Sequence, residues 1–421
     1  MTSSSCYVYL QLPASLEVVT CGQFERQVLP TGGAVGRFVY GRKYRSRRDA
    51  VPLDPVGLPL SDQVVETTRL HGMHGAIRDA APDAWGRLVI ERALGRTALD
   101  EIDYLLNGPE DRAGALSFGL GKDPPAPPRN FNPIVQLAEL REAAQRIEAG
   151  ESPKTFPDHL KVLLAPGTSL GGARPKAVVE DGEGLWVAKF PARGDRWNNA
   201  VVECAMLALA RRSGIHTPPT RLEPLGDETA LLLKRFDREK SVDGHLRHRV
   251  LSGLTVLDAD EQVTDRSRWS YLLLADEIQR RSERPGEDKL ELFRRMVFNA
   301  LISNNDDHPR NHALVARGAP WRLAPAFDLT PVPSASQQRE LALIVGRYGR
   351  GARRDNLLSA APRFGLSGAQ AGSIINELKN TVTEGWEKEV RRQGGTKQDC
   401  EAIRAAFVYD GFEYRDENSE T

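Results

Sequence analysis

The chain has 421 residues, enough for two or three domains with ample core, and its 57 Lys and Arg balance its 57 Asp and Glu. No global field draws it to nucleic acid or membrane, so any site for a polyanion has to be local. Cys6, Cys21, Cys204 and Cys400 are scattered without a CxxC pair, which argues against a zinc site or a disulfide framework. Met1 to Cys6 lacks the basic and apolar segments of a signal peptide, and no run approaches the roughly 20 apolar residues of a membrane span. These features read as a soluble, cytoplasmic protein.

From Tyr7 to Tyr40 the pattern is strand-like: Tyr7 to Leu10, Leu16 to Cys21, and Arg37 to Tyr40 after a Gly32-Gly33 turn. Arg42, Lys43, Arg45, Arg47 and Arg48 form a local basic run, read as a solvated turn because its spacing fits no helical recognition face. Gly75 to Leu94 is helical in period, with Ala84, Leu88, Val89, Ala93 and Leu94 on one side and Pro82-Asp83 as a start signal. Asp123 to Pro128 is a Pro-rich linker, and helices are expected over Phe131 to Ala149 and Asp158 to Leu164.

Pro166 to Lys176 is a glycine-rich turn ahead of a strand at Ala177 to Glu180. Glycine lets backbone N–H groups approach an anion, so the turn is a phosphate cradle or a bare hairpin. Lys189 ends the apolar run Leu185 to Ala188, where an unpaired ammonium is costly. It pairs with Glu203 of the helix expected over Asn198 to Arg212, or it snorkels at a strand edge. A strand Lys with a helix Glu is the pair that positions ATP phosphates in kinases. The strand Ala230 to Leu233 then runs into Lys234-Arg235-Phe236-Asp237-Arg238, the position of a hinge. There the backbone near Arg235 and Phe236 is expected to pair with adenine, and Asp237 to accept from a ribose hydroxyl. His245 and His248 read as surface or packing residues.

Leu290, Phe293, Met296, Val297, Ala300 and Leu301 fall on one helical face, so a buried helix delivers the polar loop Asn304-Asn305-Asp306-Asp307-His308-Pro309-Arg310-Asn311. Asp306 and Asn311 are five apart, the interval between catalytic Asp and metal-binding Asn in the protein-kinase loop. Short strands at His312 to Val315 and Trp321 to Leu323 would return the chain so that Asp328 lies beside Asn311 as a second magnesium ligand. His308 is a strut of the loop in this reading, and His308 or a nearby Arg is expected to orient the second carboxylate, Asp307. Helices follow over Arg353 to Ala361, Ser367 to Val390 and Thr396 to Phe407, and the tail from Asp410 is short and acidic.

Glycine-rich turn, strand Lys, helix Glu, hinge, catalytic loop and magnesium Asp occur in the order a bilobal kinase requires. The chain also resembles, over nearly its whole length, the HipA-like serine/threonine kinases of bacterial toxin–antitoxin systems. Thr168-Ser169-Leu170-Gly171-Gly172-Ala173-Arg174-Pro175-Lys176 resembles that family's Ser-x-Gly-Gly-x-x-Pro-Lys loop. Asn305-Asp306-Asp307-His308-Pro309-Arg310-Asn311-His312 resembles its Asn-x-Asp-Asp-His-x-x-Asn-His signature, and Ala324 to Leu329 its counterpart of the DFG motif. Gly36 to Tyr44 and Asp79 to Gly86 are similar to its N-terminal subdomain.

The resemblance implies Asp306 as catalytic base, Asn311 and Asp328 as magnesium ligands, and Lys189 on the ATP phosphates, with Ser169, Gly171, Gly172, Lys176 and His308 also in the ATP site. It implies inhibitory autophosphorylation on Ser169, with Thr168 as the neighbouring alternative. It further implies a small helix-turn-helix antitoxin that binds operator DNA, so that this chain meets DNA only through that complex, and a protein substrate such as an aminoacyl-tRNA synthetase. The chain lacks a Gly-x-Gly-x-x-Gly-x-Val loop and an Ala-Pro-Glu after Asp328, so ordinary protein-kinase substrate docking does not carry over. A small-molecule kinase and a non-catalytic partner of an antitoxin–DNA complex are the rival readings.

The expected architecture is α+β, a bilobal protein-kinase-like fold with a β-rich N-terminal subdomain and a helical C-terminal lobe. Its expected divisions are a β-rich subdomain over 1–122, a linker over 123–135, the ATP-binding part over 136–238, the helical catalytic lobe over 239–410 and a tail over 411–421.

Overall fold

The computed structural model describes residues 2–30, 32–97, 99–108, 111–125, 131–156, 174–261 and 266–414. The glycine-rich turn through Ala173, with Thr168, Ser169, Gly171 and Gly172, lies outside the described residues, as do the helix expected from Asp158 and the end of the tail. The chain divides into two compact units. The first comprises Met1–Phe190, Leu232–Leu251 and Val315–Ala319; the second comprises Pro191–Leu231, Ser252–Leu314 and Pro320–Thr421.

The first unit is rich in sheet. Strands β1 (Thr2–Gln11), β2 (Val18–Val28), β3 (Ala34–Tyr40), β4 (Val65–Thr67) and β5 (Leu116–Gly119) form an antiparallel sheet in the order β4-β3-β2-β1-β5. In β3 alternate residues Ala34, Gly36, Phe38 and Tyr40 are buried, the two-residue period that its sequence shows. The helical segment from Gly75 is broken into α1 (Gly75–Asp79) and α2 (Ala84–Leu94), with Pro82 in the break and Asp83 capping α2 by accepting from Gly86 N at 2.9 Å. Its buried face is Trp85, Val89 and Ile90, so the expected face is rotated and Ala84 and Ala93 are exposed. The larger Trp85 takes the interior, where its indole Nε1 donates to Lys176 O at 3.0 Å.

Helix α3 (Glu101–Asn107) precedes β5, and after it β6 (Asn132–Pro133) leads to α4 (Leu137–Glu148). β6 runs parallel to β7 (Lys176–Asp181), which forms a hairpin with β8 (Gly184–Lys189). The chain then enters the second unit with α5 (Asn199–Arg212), capped by the Asn198 side chain accepting from Val201 N, and β9 (Thr220–Leu225). β10 (Glu228–Lys234) begins in the second unit and ends in the first, where Arg235 N donates to Leu185 O at 2.9 Å. β11 (Arg238–Ser241) and β12 (Gly244–Arg247) form a hairpin in the first unit, and β13 (Arg249–Ser252) leads back to the second.

The second unit is mainly helical. α6 (Gly253–Val256) and α7 (Tyr271–Arg281) precede α8 (Pro285–Leu301). Phe293, Met296, Val297, Ala300 and Leu301 are buried as expected, yet Leu290 is 37% exposed. Leu292, Arg295, Phe298 and Asn299 are buried as well, because α8 is covered on more than one side by α7 and by α10, a later 25-residue helix (Gly368–Arg392). Between them in the chain lie β14 (Ala313–Ala316), which passes into the first unit at Val315, then β15 (Arg322–Leu323) and α9 (Arg354–Ala360). α10 packs on α5 and starts at a capping box made by Ser367 and Gln370; α11 (Lys397–Ile403) starts at one made by Thr396 and Asp399. Among the described residues, no helix is long and apolar enough to cross a membrane.

Candidate active site

α8 ends at Leu301, and Ser303 two residues on has a φ of +52°, a left-handed conformation usually given to Gly or Asn beyond helix ends. Its hydroxyl donates to Ala406 O at 2.6 Å, fixing the turn that starts the polar loop. The loop then separates two neighbouring carboxylates: Asp306 is exposed, and Asp307 is buried. His308 caps a short 3-10 turn at Pro309–Asn311, its Nδ1 accepting from Arg310 N at 3.1 Å, which is the strut role expected of it. Asn311 Nδ2 donates to Asp306 O at 3.0 Å, so the residues five apart are joined across one turn.

Backbone contacts bring the later segment back. Ala324 N donates to Ala313 O at 2.9 Å, Arg295 Nη2 to Ala324 O at 2.7 Å, and Ala326 N to His216 O at 2.8 Å. Asp328 follows at φ +60°, a sparsely populated conformation for a non-glycine residue and one often found at functional sites. Its carbonyl accepts from Asn304 Nδ2 at 3.4 Å, which places it against the polar loop.

Asp307 is not oriented by His308 or by an Arg, as the sequence led us to expect. Its carboxylate accepts from the Tyr271 hydroxyl and contacts His312 Nε2 at 2.8 Å. The same hydroxyl accepts from Asn299 Nδ2 at 3.1 Å, and Asn299 Oδ1 accepts from Asn304 Nδ2 at 3.1 Å. A chain of buried polar groups therefore runs from Asp307 through Tyr271, Asn299 and Asn304 to the carbonyl of Asp328. Burial and the Asp307 charge hold the Tyr271 pKa well above its ordinary value, so the phenol remains a donor. Sequence reading missed Tyr271 and Asn299. Both sit on helices of ordinary amphipathic pattern, and nothing local marks them.

Beneath the loop, Gly253 N donates to His312 O at 2.7 Å, and a β-carbon on Gly253 would lie 2.5 Å from Pro309 O. Only glycine allows that approach.

The site is electrostatically loaded. Partial burial raises the Asp306 pKa, the Asp328 and Asp307 charges raise it further, and His308 acts in the opposite direction. The oxygens of Asp306, Asp328 and Asn311 are hard donors, and mutually repelling carboxylates are the set that a small divalent cation such as magnesium relieves. Among the described residues, no group of three or more His, Cys, Asp or Glu side chains is placed to hold a metal ion, so the donor chemistry alone, two carboxylates and an amide oxygen, suits magnesium here.

The other expected site residues have more varied placements. Lys189 is half-buried at the last position of β8, opposite Lys176 in the hairpin register. Lys176 is buried, and its ammonium pairs with Asp83 at 2.7 Å. Glu203 is buried within α5 of the second unit. The hinge expectation for Asp237 does not hold. Its carboxylate is 0% exposed and accepts from Arg235 Nε at 2.9 Å, Arg235 Nη2 at 2.7 Å, Arg238 Nη1 at 2.7 Å and Gly114 N at 2.9 Å. Arg235 also donates to the carbonyls of Asp111 and Arg112, and Arg238 Nη2 to that of Arg112 at 2.6 Å. These residues clasp the 111–114 segment inside the first unit, because a buried carboxylate needs the guanidinium partners that only this packing supplies. Arg235 N is engaged with Leu185 O, so it too is unavailable to adenine. His245 and His248 are packing residues, with the His245 ring 5.5 Å from that of Phe131.

Residues 168–386, just over half of the chain, match the family model described as HipA-like C-terminal domain. The chain belongs to the HipA-like family. A putative kinase of Sinorhizobium fredii, Y4mE, is 23% identical over 354 residues, covering 75% of this chain and 76% of that protein. A putative kinase of Haemophilus influenzae is 27% identical over 203 residues, covering 42% of this chain and 57% of its own. Among solved structures, a chain of the Shewanella oneidensis MR-1 toxin–antitoxin complex of HipA, HipB and operator DNA has a similar fold. Its TM-score is 0.68 at 18% identity, covering 95% of this chain and 94% of that one. The expected α+β fold, sheet-rich toward the N-terminus and helical toward the C-terminus, is the HipA-like fold observed.

Proposed function

We propose that this HipA-like chain is an ATP- and magnesium-dependent serine/threonine protein kinase. The observation that carries the reading is the division of labour within the loop: Asp306 is exposed, with Asn311 and the Asp328 segment bonded to its loop, while Asp307 is buried and fully engaged behind it. Asp306 accepts the proton of a substrate Ser or Thr hydroxyl as its oxygen bonds to the γ-phosphorus of ATP and the bond to ADP breaks. Asn311 and Asp328 hold magnesium, which when bound neutralises phosphate charge. Lys189 serves the α- and β-phosphates, a role resting on its place in the sequence order. Family membership and relatives named as putative kinases support the reading.

Within the same proposal the chain is a toxin silenced by autophosphorylation of Ser169 or Thr168. A small helix-turn-helix antitoxin is its partner and its only route to DNA, and its target is another protein, an aminoacyl-tRNA synthetase being the first to try. The test is intact-mass and phosphopeptide analysis of the purified protein with ATP and magnesium, beside Asp306→Ala. Phosphate on Ser169 or Thr168 in the parent and none in the variant is the expected result. Absence of phosphate from both, with no ATP binding, overturns the proposal.

A further inference from the structure

A cavity of about 610 Å³ lies within the second unit, in the size range of ligand sites. One side is made by Ser303 and Asn305, the latter immediately preceding Asp306; the other is made by the chain that continues from Asp328, including Arg339, Glu340 and Arg350. Arg266 completes the rim. Nothing in the phosphoryl-transfer site described above uses this space.

The charges in the lining do not cancel. Glu340 is paired with Arg350. Arg266 is exposed and stands 4.4 Å over the Trp269 ring. Arg339 donates to the carbonyls of Ser334 at 2.9 Å, Ser336 at 3.0 Å and Ala406 at 3.1 Å, and to Ser303 Oγ at 2.5 Å; it also covers the Tyr409 ring at 4.1 Å. Among the described residues, no carboxylate contacts Arg339 or Arg266. Neutral acceptors satisfy the hydrogen bonds of a guanidinium and leave its charge uncompensated, and burial accordingly lowers the Arg339 pKa. A concave surface of one net sign concentrates the opposite charge.

We infer that this cavity is an acceptor subsite that binds an acidic polypeptide segment flanking the phosphorylated Ser or Thr. The inference rests on the kinase reading for its position, because the species that has to bring a hydroxyl to Asp306 also passes Asn305. Its chemistry rests on the unbalanced arginines. Carboxylates on the residues beside the acceptor meet Arg266 and Arg339 and compete with Glu340 for Arg350.

The experiment uses the full chain and two fluorescent peptides of equal length with one central Ser, flanked by Glu in one and by Lys in the other. Binding is read by anisotropy without nucleotide, and phosphorylation with ATP and magnesium. The Glu peptide is expected to bind more tightly, to weaken about fivefold or more in Arg266→Glu and in Arg350→Glu, and to weaken as salt is raised. Arg280→Glu, an exposed reversal on α7, serves as the control and leaves binding unchanged. Equal binding of both peptides, preference for the Lys peptide, or affinity within twofold of the parent in both cavity variants overturns the subsite. The salt titration needs no variant and decides the matter if a substitution fails to fold. Acidic-peptide binding that weakens in the cavity variants upholds the subsite whether or not the peptide is phosphorylated, and the kinase reading falls separately, by absence of autophosphorylation and of ATP binding in the same preparation; transfer without acidic preference overturns the subsite alone.

Discussion

Tyr271→Phe removes one oxygen from the centre of the second unit and keeps the ring. In the parent that oxygen donates to Asp307 and accepts from Asn299 Nδ2, and Tyr271 is fully buried. Loss of a hydrogen bond to a charged group costs about 1.5–3 kcal/mol, and stranding the buried Asn299 donor costs about 1–3 kcal/mol more. Because the two losses overlap, the expected total is about 3–5 kcal/mol. For a unit of about two hundred residues each kcal/mol shifts Tm by about 2–4 °C, giving a drop of roughly 6–20 °C.

Scanning calorimetry of the full-length variant measures this drop, and a double-mutant cycle with Asp307→Asn isolates the pair. Coupling of about 1 kcal/mol or more is expected, since both groups belong to one network. The phosphorylation rate should fall further than the loss of folded protein explains, because Asp307 anchors the turn that carries Asp306. A Tm within 1–2 °C of the parent, or additive effects within about 0.5 kcal/mol, would refute the network.

Asp237→Ala should leave two buried guanidiniums without their carboxylate, destabilising the first unit by about 3–5 kcal/mol; unfolding indistinguishable from the parent would show that the clasp is dispensable. Gly253→Ala should press a methyl group against the Pro309 carbonyl at a cost of about 1–3 kcal/mol, with a larger effect on phosphorylation rate than on Tm, read from both on the same preparation. In the proposed mechanism the deprotonated form of Asp306 is the base, and its raised pKa would place the acid limb of the rate above the ordinary ~3.9, with activity rising through it and then levelling; a limb at or below that value would contradict the assignment.

Burial of His74 holds its pKa down at about 4, so the unfolded chain binds the additional proton and stability is lost as pH falls from about 6.5 toward 4. A melting series over that window should slope down toward acid, by at most about 3–4 kcal/mol from this group, and flatten in His74→Phe.

Local features of this protein were legible in its sequence because their causes lie within a few residues. Asp83 precedes the helix that it caps, β3 shows its burial by alternation, and the hydrophobic period of α8 announces a buried helix. The interval between Asp306 and Asn311 fixes their meeting, since one short turn joins them.

Tertiary structure alone decided what each charge does. Asp306 and Asp307 are neighbours of identical chemistry, yet Asp307 is buried against Tyr271 from another helix and His312, while Asp306 is exposed. Asp237 reads as an accessible hinge acceptor until the 111–114 segment closes over it, and Lys176 finds Asp83 from 93 residues away. The role of a carboxylate is set by the groups that reach it in space, and no local pattern records partners that distant.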